Sequence, residues 1–96
     1  MNSAVSSGEI YVARTGNVVT LALVNIIPSS AITIDKNIGT VPIVPIARTF
    51  FVCKDLQGDD VFAFVLEDGN INISGITGAK QGINFYGTVT YVTANV

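Results

Sequence analysis

Between residues 61 and 74 the chain specifies its own reversal. Residues 61–67 read V-F-A-F-V-L-E, Asp68-Gly69 follows, and residues 70–74 read N-I-N-I-S. An Asp-Gly pair between two strand-type segments is a strong signal for a two-residue hairpin turn. Such a turn needs positive φ, which glycine adopts without steric cost. In the second arm Asn70, Asn72 and Ser74 alternate with Ile71 and Ile73, so one face of that strand is polar. In the first arm both faces are apolar: Val61, Ala63 and Val65 on one, Phe62, Phe64 and Leu66 on the other. A half-wet antiparallel strand alternates, whereas one that is apolar on both faces is covered on both.

The same grammar runs along the whole chain. Val, Ile, Thr, Tyr and Phe recur with period two or in short runs, and no eleven-residue window carries a capped helical stripe. The pattern specifies an all-β fold, an antiparallel β-sandwich or barrel of about seven strands. Residues 9–14 and 18–26 pair as a hairpin around Thr15-Gly16-Asn17, with Gly16 and Asn17 supplying positive φ. Residues 31–35 begin a further strand and residues 36–40 are a loop. Pro42 and Pro45 make residues 41–47 an edge or crossover segment, because proline cannot donate to a central ladder. Residues 48–54 form a core strand, 55–60 and 75–82 are loops, and 83–93 form the closing strand. Residues 1–8 are small and polar and read as a flexible lead or linker remnant before a single β domain over residues 9–96.

Composition narrows the function. Charged residues make up 12% of the chain, against roughly 25% in ordinary soluble domains. Apolar residues reach 49%, too many for so little charge to cover. No run approaches the roughly 18 apolar residues of a spanning helix; residues 18–27 are interrupted by Thr20 and Asn25 and followed by Pro28. The expectation is an obligate oligomer without membrane insertion, its apolar second faces buried against other copies. The five basic residues, Arg14, Lys36, Arg48, Lys54 and Lys80, do not cluster, which argues against a nucleic-acid partner.

Histidine is absent and Cys53 is the single cysteine. A serine or cysteine nucleophile therefore lacks its usual base, and His/Cys metal sites lack ligands. Cys53, inside F-F-V-C-K, reads as a buried, inert thiol. The D-L-Q-G-D-D loop at residues 55–60 offers oxygen ligands but lacks the alternating spacing and distal Glu of an EF-hand. The expectation is no catalytic residue, no metal and no cofactor. The loop is better suited to hydrogen-bonding sugar hydroxyls through Asp55, Gln57, Asp59 and Asp60. Lys80 and Gln81, in the loop at 75–82, are a second choice.

The order of the motifs resembles the C-terminal head domains of phage tail receptor-binding proteins and tail fibres, as in phages infecting lactic acid bacteria. The matching pieces are Val12-Ala13-Arg14-Thr15-Gly16-Asn17-Val18-Val19, then Ile38-Gly39-Thr40-Val41-Pro42 with Pro45 following. Asp55-Leu56-Gln57-Gly58, Asp68-Gly69-Asn70-Ile71-Asn72-Ile73 and Gly87-Thr88-Val89-Thr90-Tyr91-Val92 complete the series. The resemblance implies a trimeric head at the virion tail tip that is joined to upstream tail or baseplate proteins and binds host cell-wall saccharide. Those heads often place Trp or His in their saccharide pockets, and this chain has neither. Any stacking platform must then be Tyr or Phe, with Tyr86 the candidate. Two rival readings share these residues: a structural cap or assembly module of the fibre without a receptor, and a small glycosidase using the acidic loops.

Overall fold

A computed structural model describes residues 3–94. Met1 and Asn2 of the expected lead, and Asn95 and Val96 at the other end, lie outside them. Seven strands form one antiparallel sheet that curls into a nearly closed barrel. They are β1 (Val5–Thr15), β2 (Val18–Pro28), β3 (Lys36–Thr40), β4 (Thr49–Asp55), β5 (Asp60–Val65), β6 (Asn70–Ile73) and β7 (Phe85–Val92). Their spatial order is β1-β2-β7-β4-β5-β6-β3. No helix occurs among the described residues, as the period-two pattern requires.

One face of each strand fills the barrel. Val19, Leu21 and Leu23 of β2, Cys53 of β4, Val61, Ala63 and Val65 of β5, Ile71 and Ile73 of β6 and Phe85 of β7 are at most 2% exposed. Ile38 of β3 joins them, fully buried. These positions are two apart within each strand, so one pleat face supplies the core. Tyr91 is buried as well, and its phenol donates to the Ile43 carbonyl at 2.5 Å.

The sheet has a narrow seam. β4 and β7 pair only through Lys54↔Tyr86 and Asp55↔Phe85, whereas β4 and β5 share six partners from Thr49↔Val65 to Lys54↔Asp60. The crossover from β3 to β4 bridges the far end of the seam, where the Ile46 amide donates to the Val92 carbonyl.

Several boundaries differ from the sequence reading. β1 starts at Val5, not Glu9, and Val5 pairs with Pro28, so residues 5–8 belong to the sheet. Residues 36–40, read as a loop, are strand β3, which pairs with β6 from Lys36↔Ile73 to Thr40↔Asn70; Ile38 and Gly39 are buried while Lys36 and Thr40 remain exposed. Residues 31–35, read as a strand, make only the isolated bridge Ile32↔Ala79. The Asp68-Gly69 reversal does join two antiparallel strands, but its loop has three residues. The Gly69 amide donates to the Leu66 carbonyl and the Leu66 amide to the Asn70 carbonyl. Gly69, at φ +91°, fills the left-handed position of a bulged three-residue loop. At the β1–β2 reversal only Gly16 has positive φ, at +61°; Asn17 does not.

Candidate functional site

Two surfaces stand out, and both lie against the outer side of β4. The first is polar and sits where residues 55–60 and 75–84 meet the seam. Asp55, which ends β4, is buried, and its Oδ1 accepts the amides of Gln57 at 2.8 Å and Asp59 at 3.0 Å. Its carboxylate ties down the loop backbone, an ordinary role for Asp in turns. Among the expected contacts it is a positioning residue.

The rest of that loop is held by two lysines. Lys80 Nζ donates to Gln57 Oε1 at 2.7 Å and to Asp59 Oδ2 at 2.5 Å. The two loops singled out separately in the sequence are thus one surface. Across the β4–β5 ladder Lys54 Nζ meets Asp60 Oδ1 at 2.5 Å. The hydrogen bond from Lys80 holds the Asp59 carboxyl below its ordinary value, and the same bond raises the Lys80 ammonium. Asp60 raises Lys54 in the same way. All four charges are solvent-exposed, so the pairs shape the loops more than they stabilise the fold.

Tyr86 stands beside these pairs as the Cα partner of Lys54, its side chain outward and 41% exposed. Its hydroxyl donates to Asn25 Oδ1 at 3.1 Å, and Asn84 Nδ2 donates to that same oxygen. Asn25 is the one described non-glycine residue with positive φ, +56°. It lies in a β-bulge, since β2 places Val24 and Asn25 opposite Tyr86 between the pairs Leu23↔Gly87 and Ile26↔Phe85. Bulges re-aim side chains and recur beside functional sites. Asn tolerates the left-handed region better than most residues. Asn25 and Asn84 were not read as site residues from the sequence: Asn25 shows there only as a break in an apolar run, and the bulge that aims it depends on the pairing of β2 with β7.

The second surface is apolar. On the outer face of β4 and β5, Phe50 is 63% and Val52 54% exposed, and Ile76 from the following loop is 85% exposed. Together with Phe51, Phe62 and Ser74 they line an open cleft of about 300 Å³. Phe50 and Phe64 pack at 5.1 Å between ring centroids, and the Arg48 guanidinium lies 5.6 Å over Phe64. The second face of β5 is therefore partly covered by its own chain: Thr77 Oγ1 accepts the Phe62 amide, and Phe64 is buried. Phe50 and Val52 on the neighbouring β4 stay open.

Cys53 is buried in the core, its thiol pushed up to about 12 by burial. No cluster of three or more His, Cys, Asp or Glu suited to a metal is found among the described residues. A comparison with protein-family models finds no match, and a comparison with curated proteins finds none either.

Proposed function

We propose that the chain is a non-catalytic recognition head that binds host cell-surface saccharide from the tip of a phage tail or baseplate, working as a homotrimer. The observation that supports this most is the gathering of polar loop groups at one end of the barrel. Gln57, Asp59, Asp60, Lys80 and Tyr86 come from separate segments and share one surface, fixed by Asp55 and the two lysine pairs. Rigid strands carrying a polar, aromatic loop end are the usual arrangement for binding by a small scaffold. Asp59, held ionised by Lys80, suits hydrogen-bond acceptance from sugar hydroxyls. The motif order from residue 12 to residue 92 supplies the phage assignment, and the apolar β4–β5 face supplies a surface for other copies.

Binding at each site of such a head is weak, and several sites acting together hold the particle by avidity. The test is adsorption. The purified domain in excess is expected to block adsorption of the phage that carries it, and the Asp59→Ala/Asp60→Ala variant to block less well at a nearly unchanged melting temperature. Equal blocking by that folded variant moves the site elsewhere on the head.

The second reading, a structural cap or assembly module, is favoured by one observation: the exposed apolar strip of Phe50, Val52 and Ile76 is a protein-contacting surface by composition. A head that assembles fully yet neither blocks adsorption nor retains any saccharide fits this reading instead.

A further inference from the structure

Hydrogen-bond accounting at the polar end separates occupied groups from available ones. Asp55 Oδ1 is taken by backbone amides, Gln57 Oε1 and Asp59 Oδ2 by Lys80, and Asp60 Oδ1 by Lys54. Asn25 Oδ1 already accepts from both Tyr86 and Asn84. In the acidic loop the Gln57 amide nitrogen and one oxygen each of Asp59 and Asp60 stay open; beside Tyr86, the Asn25 amide nitrogen and the Asn84 amide oxygen have no partner among the described residues. Of that last pair, one is a two-proton donor and the other an acceptor. They are adjacent, because Asn84 Nδ2 bonds to Asn25 Oδ1. The Tyr86 ring stands beside them, its orientation fixed by the bond from its hydroxyl.

We infer that Asn25, Asn84 and Tyr86 form the primary contact of the head, reading a neutral pyranose rather than a charged sugar. This rests on the saccharide-binding reading above. Asn25 Nδ2 donates to one ring hydroxyl and Asn84 Oδ1 accepts from its neighbour, so the pair matches a vicinal diol. The Tyr86 ring covers the apolar C–H face of the sugar. Neutrality follows from the surroundings: the charges of Lys54 and Lys80 are each already compensated by a carboxylate, so an acidic sugar would meet no uncompensated cation there. The bulge explains why the site is built here. It turns Asn25 out of the β2 ladder, and the +56° φ fixes where its amide points.

Asn25 and Asn84 make the contact, and the acidic loop acts as a support. Glycine adopts the φ of Asn25 without strain, so Asn25→Gly keeps the backbone and is expected to fold. Asn84→Ala removes the acceptor by a second route.

The test is a titration of the isotopically labelled domain with glucose, galactose and N-acetylglucosamine, with glucuronate as the acidic comparator, followed by amide NMR. At least one neutral sugar is expected to shift the Asn25 and Asn84 side-chain amide signals, at an affinity unchanged between low and high salt. Loss of one such hydrogen bond weakens affinity by about three- to tenfold, the fall expected for Asn25→Gly and for Asn84→Ala. A sugar that shifts other resonances while leaving Asn25 and Asn84 unmoved overturns the inference and leaves the saccharide reading standing. So does full affinity in both folded variants. Tighter binding of glucuronate, lost in high salt, overturns the neutral assignment. Silence from all four sugars overturns the inference together with the reading beneath it.

Discussion

The Cys53 sulfur occupies the space in which a side chain at Gly87 would begin: a Cβ on Gly87 would lie 2.3 Å from Sγ and 3.1 Å from the Cys53 Cα. The two residues face each other beside the short β4–β7 seam, where only two ladder pairs hold the halves of the sheet together. Glycine at 87 lets the strands approach there, and the thiol fills the gap. Gly87→Ala is expected to destabilise the domain by about 1–3 kcal/mol through overpacking. Cys53→Ala in the same background should recover part of that loss. Urea unfolding of the single and double variants checks the coupling, and wild-type stability for Gly87→Ala would contradict it.

The same burial sets the chemistry of the thiol. Its ionisation is pushed up from an ordinary 9.0 to about 12, so the folded form holds the proton more tightly than the unfolded chain does. The associated stability is therefore present below about pH 9 and is lost as pH rises toward 12. At pH 8 Cys53 should react with a disulfide reagent only as fast as the domain opens. Rapid labelling of the native protein would contradict the buried seam.

Gly69 gives a backbone prediction. Its φ is +91° and a Cβ there would meet the Val41 carbonyl oxygen at 2.7 Å, so the bulged loop and the β3–β4 crossover exclude any side chain. Gly69→Val is expected to cost about 2 kcal/mol or more, from strain and contact together. A melting temperature equal to wild type would show that the loop has another conformation.

For the Lys80–Asp59 pair the direction of each shift gives the sign of the pH dependence, and solvent exposure keeps the effect small. Asp59 is lowered, so its contribution is present above the ordinary carboxylate range and is lost as pH falls through it. Lys80 is raised, so its contribution is present below the ordinary lysine value and is lost as pH climbs past it. Both groups are exposed, and added salt screens them. The melting temperature is therefore expected to be nearly flat from about pH 5 to 9 and insensitive to Asp59→Ala. The Gln57 side-chain amide should shift in that variant as Lys80 lets go. A drop of many degrees in melting temperature would mean that the clamp carries the fold.

What the sequence made legible follows from which residues carry periodic signals. The all-β class and the arms of the Asp68-Gly69 hairpin were readable because Ile71 and Ile73 alternate with Asn70 and Asn72, while residues 61–66 form a short unbroken apolar run. Strand β3 was hidden because Lys36, Asn37 and Gly39 look like a turn, although Ile38 supplies the core contact. Residues 31–35 misled in the opposite direction: Ile32 and Ile34 alternate like a strand, yet Ile34 is 73% exposed and the Asp35 carboxylate accepts the Gly75 amide. At the candidate site the residue types of the acidic loop were legible. Asp55 holds the loop through local bonds two and four residues on, a turn role that its residue type allows but does not single out among the three aspartates. The reach of Lys80 to Asp59 is a contact 21 residues apart, which local patterns do not encode.

The claim on which the account turns is saccharide recognition at the polar end, and a glycan array read with wild-type domain and with Tyr86→Ala tests it most directly. The account predicts that a restricted set of saccharides retains the wild-type domain and that the folded Tyr86→Ala variant loses those signals. Retention of no saccharide by the wild type, or undiminished retention by Tyr86→Ala, would contradict it.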